Sequence, residues 1–124
     1  PDGHLVLRGG KQGPNYDSPS VKSACEVLES GGLPTRLVID CSHGNSNKDH
    51  ERQPLVFEDV VNQRATGNTS IVGIMLESNI NPGSLSLGED QESLEYGVSI
   101  TDACVGWEKT EDIIVWADNR LNES

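Results

Sequence analysis

Apolar residues along this chain are grouped in short blocks, and the spacing within each block predicts either a strand or a helix. Short apolar runs bounded by glycine or polar residues indicate strands. They predict four strands, at residues 4–8, 37–41, 71–76 and 97–101. Apolar residues three or four positions apart, the repeat of one helix face, predict three helices. These are one between Asp17 and Gly31, one over about residues 49–64, and a last one that is capped by Thr110.

Residues at the ends of these blocks support the predicted helix boundaries. Asp17 supplies a capping carboxylate two residues before a proline in the first turn. Gly31 ends that helix because glycine readily adopts the backbone of a helix end. Pro54 lies inside the second window, so that helix starts later or bends there. The last helix is expected to bury one stripe, made of Ile113, Ile114, Ala117 and Leu121.

The order of these elements predicts an α/β fold. Strands recur about every 30 residues with a helix or a long excursion between them, which is the pattern of βαβ units with parallel strands. The run at 71–76 is apolar throughout, as expected for a strand covered on both faces. Residues 81–95 are rich in glycine, serine and acids and are expected to form a long loop. The pattern allows a small open sheet or half of an eight-stranded barrel, and it does not decide between them.

Polar side chains stand where each predicted strand ends. These are Arg8, His43, Glu77 and Asp102, one from each successive strand. Because the loops that follow parallel strands converge at one edge of the sheet, we expect these four residues to face a common site. An imidazole and two carboxylates suit a divalent ion such as manganese, iron or zinc. The alternative is that they are ordinary polar strand ends facing water.

Alternation of side chains favours the site for two of the strands. Cys41 and His43 are expected on the same face as Leu37 and Ile39, and Glu77 on the same face as Ile71, Gly73 and Met75. Arg8, followed by two glycines and Lys11, also has the composition of an anion-binding turn, although the spacing is not that of a Walker motif. We assign no role to His4 and His50.

Charge and composition limit the partners of the chain. With 20 acidic and 9 basic residues among 124, its formal net charge is −11, which excludes non-specific binding to nucleic acid. No apolar run approaches the about 18 residues of a membrane span, so no membrane partner is expected. Three widely spaced cysteines indicate reduced thiols and a cytoplasmic protein. The chain starts at Pro1, and we expect it to be a piece of a longer protein.

Several motifs, in the same order over all 124 residues, resemble those of one enzyme family. They are LRGGK (7–11), PNY (14–16), IDCSHGNSNKD (39–49), ESNI (77–80), SITDAC (99–104) and GWE (106–108). The family is the class I 3-deoxy-D-arabino-heptulosonate 7-phosphate (DAHP) synthases, also named phospho-2-dehydro-3-deoxyheptonate aldolases. The resemblance implies that residues 1–124 are one partial domain, the last four βα units and thus the C-terminal half of a (β/α)8 TIM barrel.

The resemblance also implies a reaction and a set of site residues. The family condenses phosphoenolpyruvate with erythrose 4-phosphate and water to give DAHP and phosphate, the first step of the shikimate pathway to aromatic amino acids. It uses a divalent metal (manganese, iron, zinc or cobalt), for which His43, Glu77 and Asp102 would be ligands. Arg8, His43 and Asp102 would be the catalytic and substrate-binding residues, with Arg8 on phosphoenolpyruvate. An aromatic amino acid is the expected feedback inhibitor, and a homo-oligomer the expected state of the full-length protein.

The chain departs from the family pattern because the first half of the barrel is absent. The family's fourth metal ligand, a cysteine, and most of its substrate-binding arginines and lysines belong to that half. We therefore expect the 124-residue chain alone to be inactive. Two alternatives remain: another metal-dependent α/β aldolase or hydrolase, and a non-catalytic module derived from the barrel. The first predicts turnover without phosphoenolpyruvate, and the second predicts no metal.

Overall fold

The computed structural model describes residues 2–85 and 94–123, which form three strands and three helices. The strands are β1 (Leu5–Leu7), β2 (Leu37–Asp40) and β3 (Ile71–Met75). The helices are α1 (Ser18–Ser30), α2 (Gln53–Ala65) and α3 (Trp107–Asn122). Two short 3-10 helices, His43–Ser46 and His50–Arg52, lie between β2 and α2. None of the helices in this part of the chain is long and apolar enough to cross a membrane.

The strands form one parallel sheet in the order β1-β2-β3, which confirms the predicted βαβ units over the first three strands. Because right-handed crossovers that advance in the same direction lie on the same side of a sheet, α1 and α2 cover a single face. Leu37 and Ile39 are completely buried on that face. Met75, which pairs with Asp40 on the opposite face, is 42% exposed, and Val72 at the irregularity in β3 is 54% exposed. The prediction that β3 is covered on both faces is therefore wrong for the described residues.

An irregularity in β3 changes which of its side chains share a face. Leu37 pairs with Ile71 but Val38 pairs with Gly73, so β3 has one extra residue opposite β2. The predicted grouping of Ile71 with Gly73 is consequently wrong, because the bulge shifts the alternation by one position. A Cβ on Gly73 would lie 3.3 Å from Val38 Cγ2, on the open face of the sheet.

The first two helices begin where the sequence places them. Asp17 caps α1 by accepting hydrogen bonds from the Ser20 backbone N–H (3.1 Å) and hydroxyl (2.7 Å). Burial of Asp17 opposes ionisation, but these hydrogen bonds outweigh it and lower the pKa of its carboxyl. α2 starts at Gln53, after the 3-10 turn, so the later start predicted from Pro54 is confirmed.

Two predictions near the end of the chain are wrong. Residues 97–101 form no regular strand; Ser99 makes only an isolated bridge to Ser84, since Gly97 has φ +80° and the Ser99 hydroxyl accepts the Thr101 backbone N–H (3.2 Å). The last helix starts at Trp107, and Thr110 lies in its first turn, where its hydroxyl donates to the Gly106 carbonyl (2.9 Å).

The core lies between the covered sheet face and the helices. It consists of Leu7, Val21, Leu37, Ile39, Cys41, Val56, Phe57, Val60, Val61, Ile71, Ile113 and Ala117. Ile114 (52%) and Leu121 (41%) are exposed, so only half of the predicted stripe of α3 is buried. Residues 81–85 and 94–95 are mostly irregular, as predicted for a loop over 81–95. Residues 86–93 of that predicted loop lie outside the described residues.

Candidate metal centre

The imidazole of His43 lies at the centre of the candidate site. β2 ends at Asp40, and His43 follows in a 3-10 turn with φ +51°, a backbone region that costs a non-glycine residue energy. Cys41 is completely buried in the core, whereas the His43 side chain is 22% exposed beside two carboxylates. The predicted alternation that put Cys41 and His43 on one face is therefore wrong, because the chain leaves strand geometry before His43.

Two carboxylates face the ring from other parts of the chain. His43 Nε2 lies 3.4 Å from Glu77 Oε1 and 3.3 Å from Asp102 Oδ2. The three candidate ligand atoms of His43, Glu77 and Asp102 all lie within 4.8 Å of one another. Glu77 follows β3, as predicted, whereas Asp102 lies in an irregular segment before α3 and not at the end of a strand. The structure thus brings together three of the four residues that the sequence singled out.

The donor set fits a divalent cation. Two carboxylates and one imidazole nitrogen are oxygen and nitrogen ligands of the kind that manganese, iron and zinc take in proteins. Two carboxylate oxygens close to each other repel, and a cation between them removes that repulsion. The exposed fractions of Glu77 (25%) and Asp102 (55%) leave the cluster reachable from solvent.

The opposite edge of the His43 ring, at Nδ1, contacts buried polar groups. Nδ1 lies 2.8 Å from Asp40 Oδ2 and 2.8 Å from the Ser42 hydroxyl. Asp40 is 2% exposed, and its other oxygen accepts the Ser42 backbone N–H (2.8 Å) and hydroxyl (2.6 Å). The ring is therefore held on one edge, with its other nitrogen directed to Glu77 and Asp102.

Glu77 is positioned by a residue that sequence reasoning missed. The Gln53 side chain, 1% exposed, accepts the Glu77 backbone N–H (2.9 Å) and donates to its carbonyl (3.4 Å). The Glu77 carbonyl also accepts the Val105 backbone N–H (3.0 Å), so Gln53 pairs the one backbone N–H of Glu77 that no neighbouring strand reaches. No signal in a single sequence distinguishes this glutamine from an ordinary polar residue at the start of a helix.

The loops after β1 and β2 are joined by a close backbone contact. Gly9 has φ +93°, and a Cβ there would lie 2.6 Å from the Gly44 backbone, so only glycine fits. Asn45 donates to the Leu7 (3.0 Å) and Asp40 (2.8 Å) carbonyls and accepts the Asn15 backbone N–H (2.7 Å). The LRGGK and SHGN motifs are therefore parts of one packed unit.

Arg8 is beside the cluster but not in it. Its side chain is exposed, and its carbonyl lies against Gly44. Within residues 2–85 and 94–123, no ion pair involves its guanidinium, and Lys11 is also exposed. Lys48, which the sequence analysis did not single out, lines the small pocket that contains His43, Glu77 and Asp102.

The two buried cysteines are protonated thiols near neutral pH. Burial, with a further contribution from the Asp40 charge, raises the pKa of Cys41 to about 12. Burial also raises the pKa of Cys104; the Ser99 hydrogen bond opposes this, while the charges of Glu77 and Asp102 add to it. Since the nucleophilic form of cysteine is the thiolate, neither thiol is activated as a nucleophile here.

Comparison with known proteins identifies the family. The sequence model of the DAHP synthetase I family matches residues 1–115. The chain belongs to this family. The resemblance inferred from the motifs is thereby confirmed.

Relatives in the DAHP synthetase I family include bacterial and fungal proteins. The chain is 51% identical over 122 residues to "Phospho-2-dehydro-3-deoxyheptonate aldolase, Tyr-sensitive" of Escherichia coli (strain K12), covering 98% of this chain and 34% of that protein. It is 47% identical over 119 residues to the "phenylalanine-inhibited" aldolase of the same name from Saccharomyces cerevisiae, covering 91% of this chain and 32% of the relative. The chain therefore spans about a third of the length of these relatives.

A solved structure that carries the same protein name as these relatives has the same fold over this region. "Phospho-2-dehydro-3-deoxyheptonate aldolase from Francisella tularensis SCHU S4" superposes with a TM-score of 0.90 and 36% sequence identity. The match covers 98% of this chain and 35% of that one. The DAHP synthetase family fold is thus preserved across nearly the whole chain.

Proposed function

We propose that the protein containing this chain is a DAHP synthase. It condenses phosphoenolpyruvate with erythrose 4-phosphate and water, forming DAHP and inorganic phosphate, and so starts the shikimate pathway to aromatic amino acids. The family match over residues 1–115 supports the activity. The observation that supports a site for this activity is the close approach of His43, Glu77 and Asp102. They come from three separate segments, and their ligand atoms lie within 4.8 Å of one another.

His43, Glu77 and Asp102 are the proposed metal ligands. The ion is divalent, with manganese, iron, zinc and cobalt as candidates. When bound, it would supply Lewis acidity toward the aldehyde oxygen of erythrose 4-phosphate. His43 and Asp102 are also proposed as catalytic and substrate-binding residues, because they line the same small pocket.

Arg8 is the proposed binding residue for phosphoenolpyruvate. Its exposed guanidinium is free of any ion pair within residues 2–85 and 94–123, and the Gly9–Gly44 contact places the end of β1 beside the loop that carries His43. A guanidinium matches phosphate and carboxylate oxygens in a two-pronged geometry. Positive charge is needed here because both substrates are anions and the chain has a net charge of −11.

Residues 1–124 are proposed to be one partial domain, the C-terminal half of a (β/α)8 barrel. The consecutive order β1-β2-β3, with the helices on one face, is what a barrel requires, since doubly wound sheets reverse their strand order. The chain spans 34% of the length of the E. coli relative, and Met75, on the face opposite Leu37 and Ile39, is 42% exposed. We infer that the missing strands close this face and that the 124-residue chain alone is inactive.

Regulation and assembly of the whole protein are part of the same proposal. Relatives are named "Tyr-sensitive" and "phenylalanine-inhibited", which supports feedback inhibition by an aromatic amino acid. The full-length protein is proposed to be a cytoplasmic homo-oligomer, without a nucleic-acid or membrane partner.

Phosphate release by the full-length protein tests the activity. We expect release only when phosphoenolpyruvate and erythrose 4-phosphate are both present, loss of release with a chelator, and recovery with Mn²⁺. His43→Ala is expected to lower kcat/KM at least about hundredfold. The matched control is His4→Ala, an exposed histidine at the other end of β1, which should leave kcat/KM unchanged. Turnover without phosphoenolpyruvate would favour another aldolase or hydrolase, and full activity without metal would refute the metal centre.

A further inference from the structure

We propose that Asp40 is a positioning residue that holds a proton on Nδ1 of His43 and so keeps the Nε2 lone pair directed at Glu77 and Asp102. The inference rests on the proposed metal role of His43. It goes further because it gives a task to a buried carboxylate that does not face the candidate ligand cluster. It also specifies which of the two neutral forms of the imidazole the protein selects.

The hydrogen-bond partners of Asp40 and Ser42 determine where the ring proton lies. Asp40 Oδ1 accepts two hydrogen bonds from Ser42, one from the backbone N–H (2.8 Å) and one from the hydroxyl (2.6 Å). The Ser42 hydroxyl proton is therefore used, and its oxygen can only accept from the ring at 2.8 Å. Oδ2 of an ionised Asp40, 2.8 Å from Nδ1, is an acceptor as well. Both atoms that face Nδ1 are acceptors, so the proton in these contacts belongs to the ring.

A neutral imidazole that carries its proton on Nδ1 has its lone pair on Nε2. That atom lies 3.4 Å from Glu77 Oε1 and 3.3 Å from Asp102 Oδ2. Three acceptors then converge with no proton between them, which is the arrangement a cation requires and a hydrogen-bonded cluster avoids. A carboxylate on the far nitrogen of a metal-binding histidine fixes both the protonation and the orientation of the ring.

The surroundings hold Asp40 in place for this task. Its side chain is 2% exposed, and its carbonyl accepts a hydrogen bond from Asn45 Nδ2 (2.8 Å), which also bonds the Leu7 carbonyl. A buried carboxylate with several donors cannot rotate away without leaving them unpaired. The ring is therefore oriented before an ion arrives, and binding does not have to order it.

Asp40→Asn reverses the polarity of the contact while preserving its shape. The Ser42 backbone N–H can only donate, so the amide oxygen stays on that side and the NH2 group faces Nδ1. His43 must then accept at Nδ1, and its proton moves to Nε2, where it blocks metal binding. The matched control is Ser42→Ala, which disturbs the same buried group but leaves a carboxylate oxygen facing Nδ1.

Two measurements on the full-length protein test the assignment. The first is the position of the His43 ring proton in the metal-free, 15N-histidine-labelled protein, measured by NMR at about pH 9, where an ordinary imidazole is neutral. We expect it on Nδ1 in the wild type and in Ser42→Ala, and on Nε2 in Asp40→Asn. The second is the affinity for Zn²⁺ by calorimetry, expected to fall about 10–100-fold in Asp40→Asn and less in Ser42→Ala.

The outcomes separate this inference from the proposed function. A wild-type His43 with a proton on Nε2, alone or together with Nδ1, overturns the inference, even if Asp40→Asn fails to fold. Unchanged Zn²⁺ affinity in a folded Asp40→Asn also overturns the inference. If His43→Ala loses Zn²⁺ affinity in the same measurement, the proposed metal centre is still supported. Unchanged Zn²⁺ affinity in His43→Ala would instead contradict the metal centre itself.

Discussion

The two sides of the candidate metal centre are built in different ways. On the His43 side, Asp40 and Ser42 are 2% and 1% exposed, and their hydrogen bonds hold the ring. On the other side, Asp102 is 55% exposed and lies in an irregular segment between isolated bridges. The His43 side of the site is therefore held by buried residues, whereas the Asp102 carboxylate is held only by an exposed loop.

The largest expected effect comes from removing core support under the His43 side. Ile39→Ala empties a completely buried position beside Asp40 and should lower the free energy of unfolding by about 2–5 kcal/mol. The matched control is Val27→Ala, a 68% exposed position on α1 away from the open face of the sheet, with a cost under about 1 kcal/mol. Urea denaturation measures both. Equal losses would break the comparison, because the buried Ile39 would then contribute no more to stability than an exposed side chain.

A slightly smaller effect is expected where the loops after β1 and β2 touch. Gly9→Ala places a Cβ within 2.6 Å of the Gly44 backbone at φ +93°, and we expect a loss of about 2–4 kcal/mol. Gly10→Ala, with nothing within 4 Å of the new Cβ, should cost under about 0.5 kcal/mol. The two denaturation midpoints decide the matter, and a tolerated Gly9→Ala would mean that the contact does not order the loops.

On the loop side, the expected effect is on metal binding and not on folding. Asp102→Asn removes one candidate ligand from an exposed position and should weaken Zn²⁺ binding about hundredfold, or about 2.7 kcal/mol. Unfolding of the metal-free protein should change by less than about 0.5 kcal/mol. Asp112→Asn removes the same charge from an exposed position on α3 and serves as the control. Strong destabilisation by Asp102→Asn would show that the loop side is as firmly held as the His43 side.

The smallest effect is expected far from the site, at the cap of α1. Asp17→Ala should cost about 1 kcal/mol near pH 7. Because folding lowers the pKa of Asp17, its contribution is complete above the unfolded value of about 3.9 and is lost as pH falls through the folded-state pKa. Stability measured from pH 7 down to about pH 2 should therefore show the wild-type and variant curves converging in acid. Metal affinity should stay unchanged. A changed affinity would show that the cap of α1 and the metal centre are not independent.

Local signals in the sequence predicted the first two βα units and the third strand correctly. Asp17 caps α1, Pro54 delays α2, and the apolar runs at 37–41 and 71–76 form β2 and β3 almost to their ends. Predictions failed where a contact distant in sequence overrides a local preference. Thr110 is a residue type that often caps helices, yet it lies inside α3, which begins at Trp107, and its hydroxyl contacts the Ser78 hydroxyl (2.6 Å).

The sequence by itself determined the family, the parallel order of the strands and the identity of the residues that meet at the site. Predicted strand ends singled out His43, Glu77 and Asp102 together with Arg8, and the resemblance of the motifs to the family separated the three proposed ligands from Arg8. Only the tertiary structure decided how those residues are held: that Asp40 faces Nδ1, that Gln53 pairs with the Glu77 backbone, and that the bulge in β3 reverses the alternation. These features depend on the local backbone path and on three-dimensional proximity, which periodicity and spacing do not contain.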